Sequence, residues 1–142
     1  MDFAFTDEQE ELIRTLRAFA RKELAPRSAG WDKTSEVPWD VWRRMGEMGL
    51  LGLRAPAAYG GQEADLLTAG IVIEEICRGD FSCGYPLQLN WLAEEIIGHN
   101  GTEEMKTRWI PPAARGEAII ALALTEPEVG SDAANLVCRA DK

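Results

Sequence analysis

The 142-residue sequence predicts a mainly α-helical domain that gives way near its C-terminal end to the first strands of a β element. Three observations predict it. Apolar residues recur every three or four positions through five segments between Asp7 and Ile110, the period of helices with one face buried. Helix punctuation stands at the ends of those segments, at Thr6, Pro38, Gly49 and Thr102. After Gly116 the period changes: Ala118 to Leu124 is apolar without a break and stops at a turn of Thr, Pro, Gly, Ser and Asp.

Taken in order, Thr6 and Gln9 form a capping box, and Leu12, Ile13, Leu16, Phe19, Ala20 and Leu24 mark a first helix that Pro26 should stop. Arg27 to Val37 reads as a polar connection with one aromatic, Trp31. Pro38 opens a second helix lined by Trp39, Val41, Trp42, Met45 and Met48, with Gly49 as its cap. Leu50 to Leu53 is a short apolar connector and Pro56 to Gly61 a turn-rich loop. From Leu66 to Cys77 the chain is apolar on nearly every face apart from Glu74 and Glu75, which predicts a central, buried helix. Arg78-Gly79-Asp80 breaks it, and Tyr85 to Gly98 forms a fourth helix carrying Leu87, Leu89, Trp91, Leu92, Ile96 and Ile97. Thr102 caps a fifth, with Met105, Trp109 and Ile110 facing inward and Pro111-Pro112 ending it. Strands are expected over 118–124 and 136–140. Two strands make no stable sheet alone, so the expected division is an all-α domain over 1–116 and an incomplete β domain over 117–142.

The composition is that of one average domain with ample apolar content, 46%. Asp and Glu number 24 against 15 Lys and Arg, a formal charge of -9, which argues against a nucleic-acid partner. The N-terminus has neither a basic start nor a long apolar segment, and no run reaches the roughly 18 residues of a membrane span. Cys77, Cys83 and Cys138 are odd in number and lack CxxC spacing, so they read as reduced thiols in a cytoplasm-like compartment, or in the mitochondrial matrix of a eukaryote. With His99 the single histidine, no Ser-His-Asp triad or His-based metal site is available within the chain. Phosphate-binding Gly-rich fingerprints are absent.

Two acid pairs invite an acid–base reading, Glu74-Glu75 and Glu94-Glu95. Adjacent helical residues point about 100° apart, so only one of each pair can face the interior, and the expectation is one carboxylate in solvent and the other in an ion pair. The turn at 124–132 remains. Glu126, Glu128 and Asp132 surround Gly130-Ser131, with no Lys or Arg closer than Arg139. An anionic ligand held there must be held by main-chain N–H groups and the Thr125 and Ser131 hydroxyls, with the carboxylates turned away or bonded back to the turn, Asp132 as an Asx-type cap.

Leu124-Thr-Glu-Pro-x-x-Gly-Ser-Asp132 resembles the flavin-contacting signature of the acyl-CoA dehydrogenases. So, in the family's order, do Phe3-Ala-Phe-Thr-Asp-Glu-Gln-Glu-Glu-Leu, Phe19-Ala-Arg-Lys-Glu-Leu-Ala-Pro, the stretch from Pro38 to Gly49, Leu50-Leu-Gly-Leu, Tyr59-Gly-Gly, Ile73-Glu-Glu-Ile, Gly101-Thr-Glu-Glu-Met-Lys and Gly116-Glu. The resemblance implies an N-terminal helical domain followed by the first strands of a β-barrel domain. It further implies α,β-dehydrogenation of an acyl-CoA thioester with FAD, an electron-transfer flavoprotein as acceptor, and a homotetramer formed through a C-terminal helical domain. Leu122, Leu124 and Thr125 would contact the flavin ring, Gly130 and Ser131 its pyrophosphate, and Ser131 also the acyl-CoA. Tyr85, Leu89 and Leu92 are candidates for the acyl-pocket wall. The base would lie beyond Lys142, leaving no catalytic residue within the chain and the piece alone inactive. Departures at Leu122, Glu94-Glu95 and Glu128-Val129 leave the acyl group open to branched, cyclic or carrier-protein-bound forms. A rival from another class is a non-catalytic helical interaction module derived from such an enzyme.

Overall fold

The computed structural model describes residues 4–141. Phe3, which opens the first matching segment, lies outside them. Among the described residues six α-helices form: α1 (Asp7–Phe19), α2 (Ala25–Thr34), α3 (Trp39–Glu47), α4 (Leu66–Gly79), α5 (Phe81–Asn100) and α6 (Glu103–Ala114). The capping box closes at both ends, Gln9 N–H to Thr6 Oγ1 at 3.2 Å and Thr6 N–H to Gln9 Oε1 at 3.1 Å. Gly49 follows α3 at a φ of 75°, the left-handed residue that ends the helix.

Two expectations about prolines fail. Pro26 does not stop the first helix. A π-helical turn, Ala20–Leu24, shifts the hydrogen-bond register there, and α2 continues from it with proline in its first turn. Arg27 to Thr34 is therefore helix, not connection. Arg27 stacks on Trp31 at 4.6 Å and bonds Asp40 at 2.7 and 2.9 Å, fastening α2 to α3. Pro86 lies inside α5, which starts earlier than expected because the Asp80 carboxylate caps it through Cys83 N–H at 2.8 Å. Pro111 and Pro112 lie inside the last turns of α6, where burial of Ile110, Ala113 and Ala114 offsets two lost bonds. Met105 and Trp109 are exposed, so only Ile110 of the predicted inward trio is buried.

The core lies around α4. Ala69, Val72 and Ile76 meet Leu16, Phe19, Ala20 and Leu24 on one side and Cys83, Leu87 and Trp91 on the other, with Val41, Trp42, Met45, Leu50, Leu51 and Leu53 completing the cluster. The helix is central as predicted, yet not buried all round: Leu66, Leu67, Gly70 and Glu74 are exposed. Trp39 is exposed as well. The α4–α5 crossing is close, since a Cβ on Gly84 would fall 2.3 Å from Cys77 Sγ.

Among the described residues there is no strand. Residues 118–124 and 136–140 carry no regular secondary structure and are largely exposed. A strand needs a paired neighbour; instead the second stretch is tied to the turn, where the Glu126 carboxylate accepts Val137 N–H at 2.9 Å and Cys138 N–H at 2.8 Å. One side chain stands where a ladder was expected.

Candidate functional site

Two hollows flank α5. The first, about 420 Å³, is a cleft between α4 and α5. Leu66, Ala69, Gly70 and Ile73 face Tyr85, Gln88, Leu89, Trp91 and Leu92, with Arg54 and Glu95 also lining it. The second, about 190 Å³, is an apolar groove where Ile119 to Leu122 approach Val41, Trp42 and Met45 of α3 and Cys83, Pro86 and Leu89 of α5. All three predicted acyl-wall residues, Tyr85, Leu89 and Leu92, thus share one cleft. Leu122 lies in the other groove, and Leu89 borders both. Leu124, Thr125, Gly130 and Ser131 line neither; they occupy the exposed turn beyond.

The turn closes through Glu126 N–H to Val129 C=O at 2.9 Å and Val129 N–H to Glu126 C=O at 3.2 Å. Glu126, held by two backbone N–H groups, is the carboxylate that bonds back to main chain. Asp132 is not: its carboxylate meets the Asn135 side-chain amide, and only its C=O accepts Asn135 N–H. Among the described residues, the Thr125 and Ser131 hydroxyls and the Gly130 and Ser131 N–H groups make no hydrogen bond. A Cβ placed on Gly130 meets nothing within 4 Å. The turn offers free donors, an open approach and two exposed leucines, Leu122 and Leu124. Those groups suit a ligand with an apolar ring and an anionic tail.

The acid pairs split as the helical geometry requires. Glu75 is buried and receives Arg17 through Nη2 at 2.6 Å and Nε at 2.9 Å, while Glu74 stays exposed beside Arg78. The Arg17 hydrogen bonds hold Glu75 below the usual carboxylate range. Glu94 departs from the expectation of an ion pair or solvent. It is fully buried, its Oε1 accepts Asn90 Nδ2 at 3.0 Å, and no cation among the described residues pairs with it. Burial pushes it up to about 8, with Glu95 adding to the shift. Burial likewise raises the Cys83 thiol to about 12, so it is inert as a nucleophile. No group of three or more His, Cys, Asp or Glu able to hold a metal occurs among the described residues. No helix among them is long and apolar enough to cross a membrane.

Sequence reasoning missed Arg54, Gln88 and Gly70 in the cleft. Gly70, isolated in a helical pattern, was the available signal, for such a glycine often leaves room for something close by.

The family model described as the acyl-CoA dehydrogenase N-terminal domain matches residues 6–117, nearly all of the helical part. The chain belongs to the acyl-CoA dehydrogenase family. A probable acyl-CoA dehydrogenase of Bacillus subtilis is 36% identical over 138 residues, 94% of this chain and 35% of that protein. The mitochondrial isovaleryl-CoA dehydrogenase of Solanum tuberosum is 36% identical over 142 residues, 97% and 34%. The solved glutaryl-CoA dehydrogenase in complex with glutaryl-CoA superposes with a TM-score of 0.87 at 33% identity, covering 96% of this chain and 35% of that one. The helical fold is therefore that of the acyl-CoA dehydrogenase N-terminal domain, and the chain spans about a third of the length of the relatives it matches.

Proposed function

We propose that these residues are the N-terminal part of an FAD-dependent acyl-CoA dehydrogenase that introduces an α,β double bond into an acyl thioester. The observation that supports this most is the turn at 124–132: among the described residues its Thr125 and Ser131 hydroxyls and its Gly130 and Ser131 N–H groups are free, while the Glu126 carboxylate is tied back to Val137 and Cys138. Leu122 and Leu124 offer apolar contact to the flavin ring, Thr125 a hydroxyl to its edge, and Gly130 and Ser131 main-chain donors to the pyrophosphate. Ser131 also serves the acyl-CoA. Bound FAD supplies the acceptor at N5 for the hydride leaving the β-carbon. Within this chain, Tyr85, Leu89 and Leu92 wall the acyl group and keep water from it; the α-proton goes to a glutamate outside these residues. An electron-transfer flavoprotein as acceptor, a homo-oligomer built through further domains, and a cytoplasmic or mitochondrial-matrix setting belong to the same proposal.

The test is optical. The full-length protein is expected to be yellow and to bleach when given its acyl-CoA. Thr125→Val and Ser131→Ala should each weaken FAD binding about three- to tenfold, the worth of one hydrogen bond. A full-length protein that carries no flavin sinks the reading. Exposed apolar residues such as Leu66, Phe81 and Trp109 favour the second reading, a helical interaction module without chemistry. A stop codon directly after Lys142 would support that module, and an open frame encoding barrel strands and a helical bundle would reject it.

A further inference from the structure

The cleft between α4 and α5 carries polar groups that an apolar acyl wall leaves unused. Tyr85, Gln88, Leu92 and Glu95 lie along one stripe of α5 and line it together. At 1.5 Å per residue that stripe is about 15 Å long. The beginning of α5, through Cys83, Pro86 and Leu89, also borders the groove that holds Leu122. The Glu95 end is therefore the end remote from the flavin-side segment. There Arg54 donates Nε to Glu95 Oε1 at 2.7 Å and Nη1 to the Ala64 carbonyl. The pair is half-buried, with side chains 22% and 29% exposed. Among the described residues, Glu95 Oε2, the Gln88 amide and the Tyr85 hydroxyl make no hydrogen bond.

A closed ion pair of this kind is neutral overall, and its neutrality is selective. An anionic tail brought against it meets the Glu95 carboxylate, and a cationic one meets the Arg54 guanidinium. A purely apolar tail strips water from Oε2 and replaces it with nothing. A hydroxyl both donates and accepts, so it satisfies Oε2 and a spare Arg54 N–H together.

We propose that the Arg54–Glu95 end of the cleft selects acyl chains bearing an uncharged hydroxyl toward the tail over unsubstituted chains of the same length. The inference rests on the dehydrogenase reading above. Its test compares a medium-chain acyl-CoA with its tail-hydroxylated counterpart on the full-length protein, by steady-state kinetics and flavin bleaching. The hydroxylated thioester is expected to have a kcat/KM about tenfold higher, carried by KM. The double variant Arg54→Met/Glu95→Leu should reverse the preference. Gly70→Leu should raise KM for both thioesters, because a Cβ at Gly70 meets no atom within 4 Å and the added side chain fills the cleft rather than the core. Circular dichroism melting checks that each variant folds; the wild-type comparison stands even if the double variant does not. Equal or poorer use of the hydroxylated thioester by the wild type overturns the proposal, as does a preference that survives the double substitution. Bleaching by neither thioester overturns the dehydrogenase reading and this one with it. Bleaching by the plain thioester without hydroxyl preference overturns this one alone.

Discussion

Glu75 and Glu94 are buried acids on neighbouring helices, and their surroundings push them in opposite directions. Glu75 gains Arg17 and is held down; Glu94 gains only the Asn90 amide and burial drives it up to about 8. The sign of each follows by linkage. Glu94 binds its proton more tightly folded than unfolded, so stability is complete below its unfolded value of 4.5 and falls as pH rises toward about 8. The slope through that window is expected near 1.4 kcal/mol per pH unit. Glu75 contributes above its unfolded value, and that contribution is lost as pH falls through its lowered folded value. Urea melts of the 142-residue chain at pH 5, 6.5 and 8 measure the first effect. Glu94→Gln should flatten the decline and leave the protein more stable than wild type at pH 8; an unchanged slope would mean that Glu94 is not the proton responsible. Glu94 Oε2 and Asn90 Oδ1 both lack a donor in the fold. A neutral acid supplies one, which is the physical sense of a raised value at this place.

At the scale of elements, what the sequence displayed was period and caps, and what it hid was the tertiary reason to tolerate a proline. Thr6, Asp80 and Thr102 each receive the N–H three residues on, so the helix starts are set locally. Pro26 and Pro111 read as stops because propensity is also local, but their neighbours Leu24 and Ile110 are fully buried and hold the helix through them. In the candidate site Tyr85, Leu89 and Leu92, put forward through the family resemblance, fall in one cleft, whereas the Arg54–Glu95 pair was not legible, for it joins residues 41 positions apart. Close approach is another feature that only the fold reveals. α3 abuts the end of α6 at Gly46, where a Cβ would fall 2.3 Å from the Arg115 carbonyl oxygen. Backbone cannot yield as a side-chain tip can. Gly46→Ala is therefore expected to cost about 1–3 kcal/mol despite alanine's better helix propensity, read as a lowered denaturation midpoint with unchanged slope. A neutral or stabilising result would show that α6 shifts freely against α3.

For the whole molecule, the division is between a helical body with one shared core and an irregular tail with little of its own burial. The family match ends at residue 117, and the exposed stretch begins directly after it. Exposed backbone without a ladder is the preferred substrate of a protease. Brief trypsin or Glu-C digestion of the 142-residue chain should cut first within 115–139 and leave the helical body resistant, its melting temperature within a few degrees of the uncut chain. Early cleavage within α4 or α5 would contradict the single core.

Leu89 stands as a partition, with the cleft on one side and the Leu122 groove on the other. A partition cannot move away from one chamber without moving into its neighbour. An occupant of one hollow that displaces Leu89 pushes it toward the other, and coupling of that kind runs equally both ways: the factor by which one occupant alters the other's affinity is the factor returned to it.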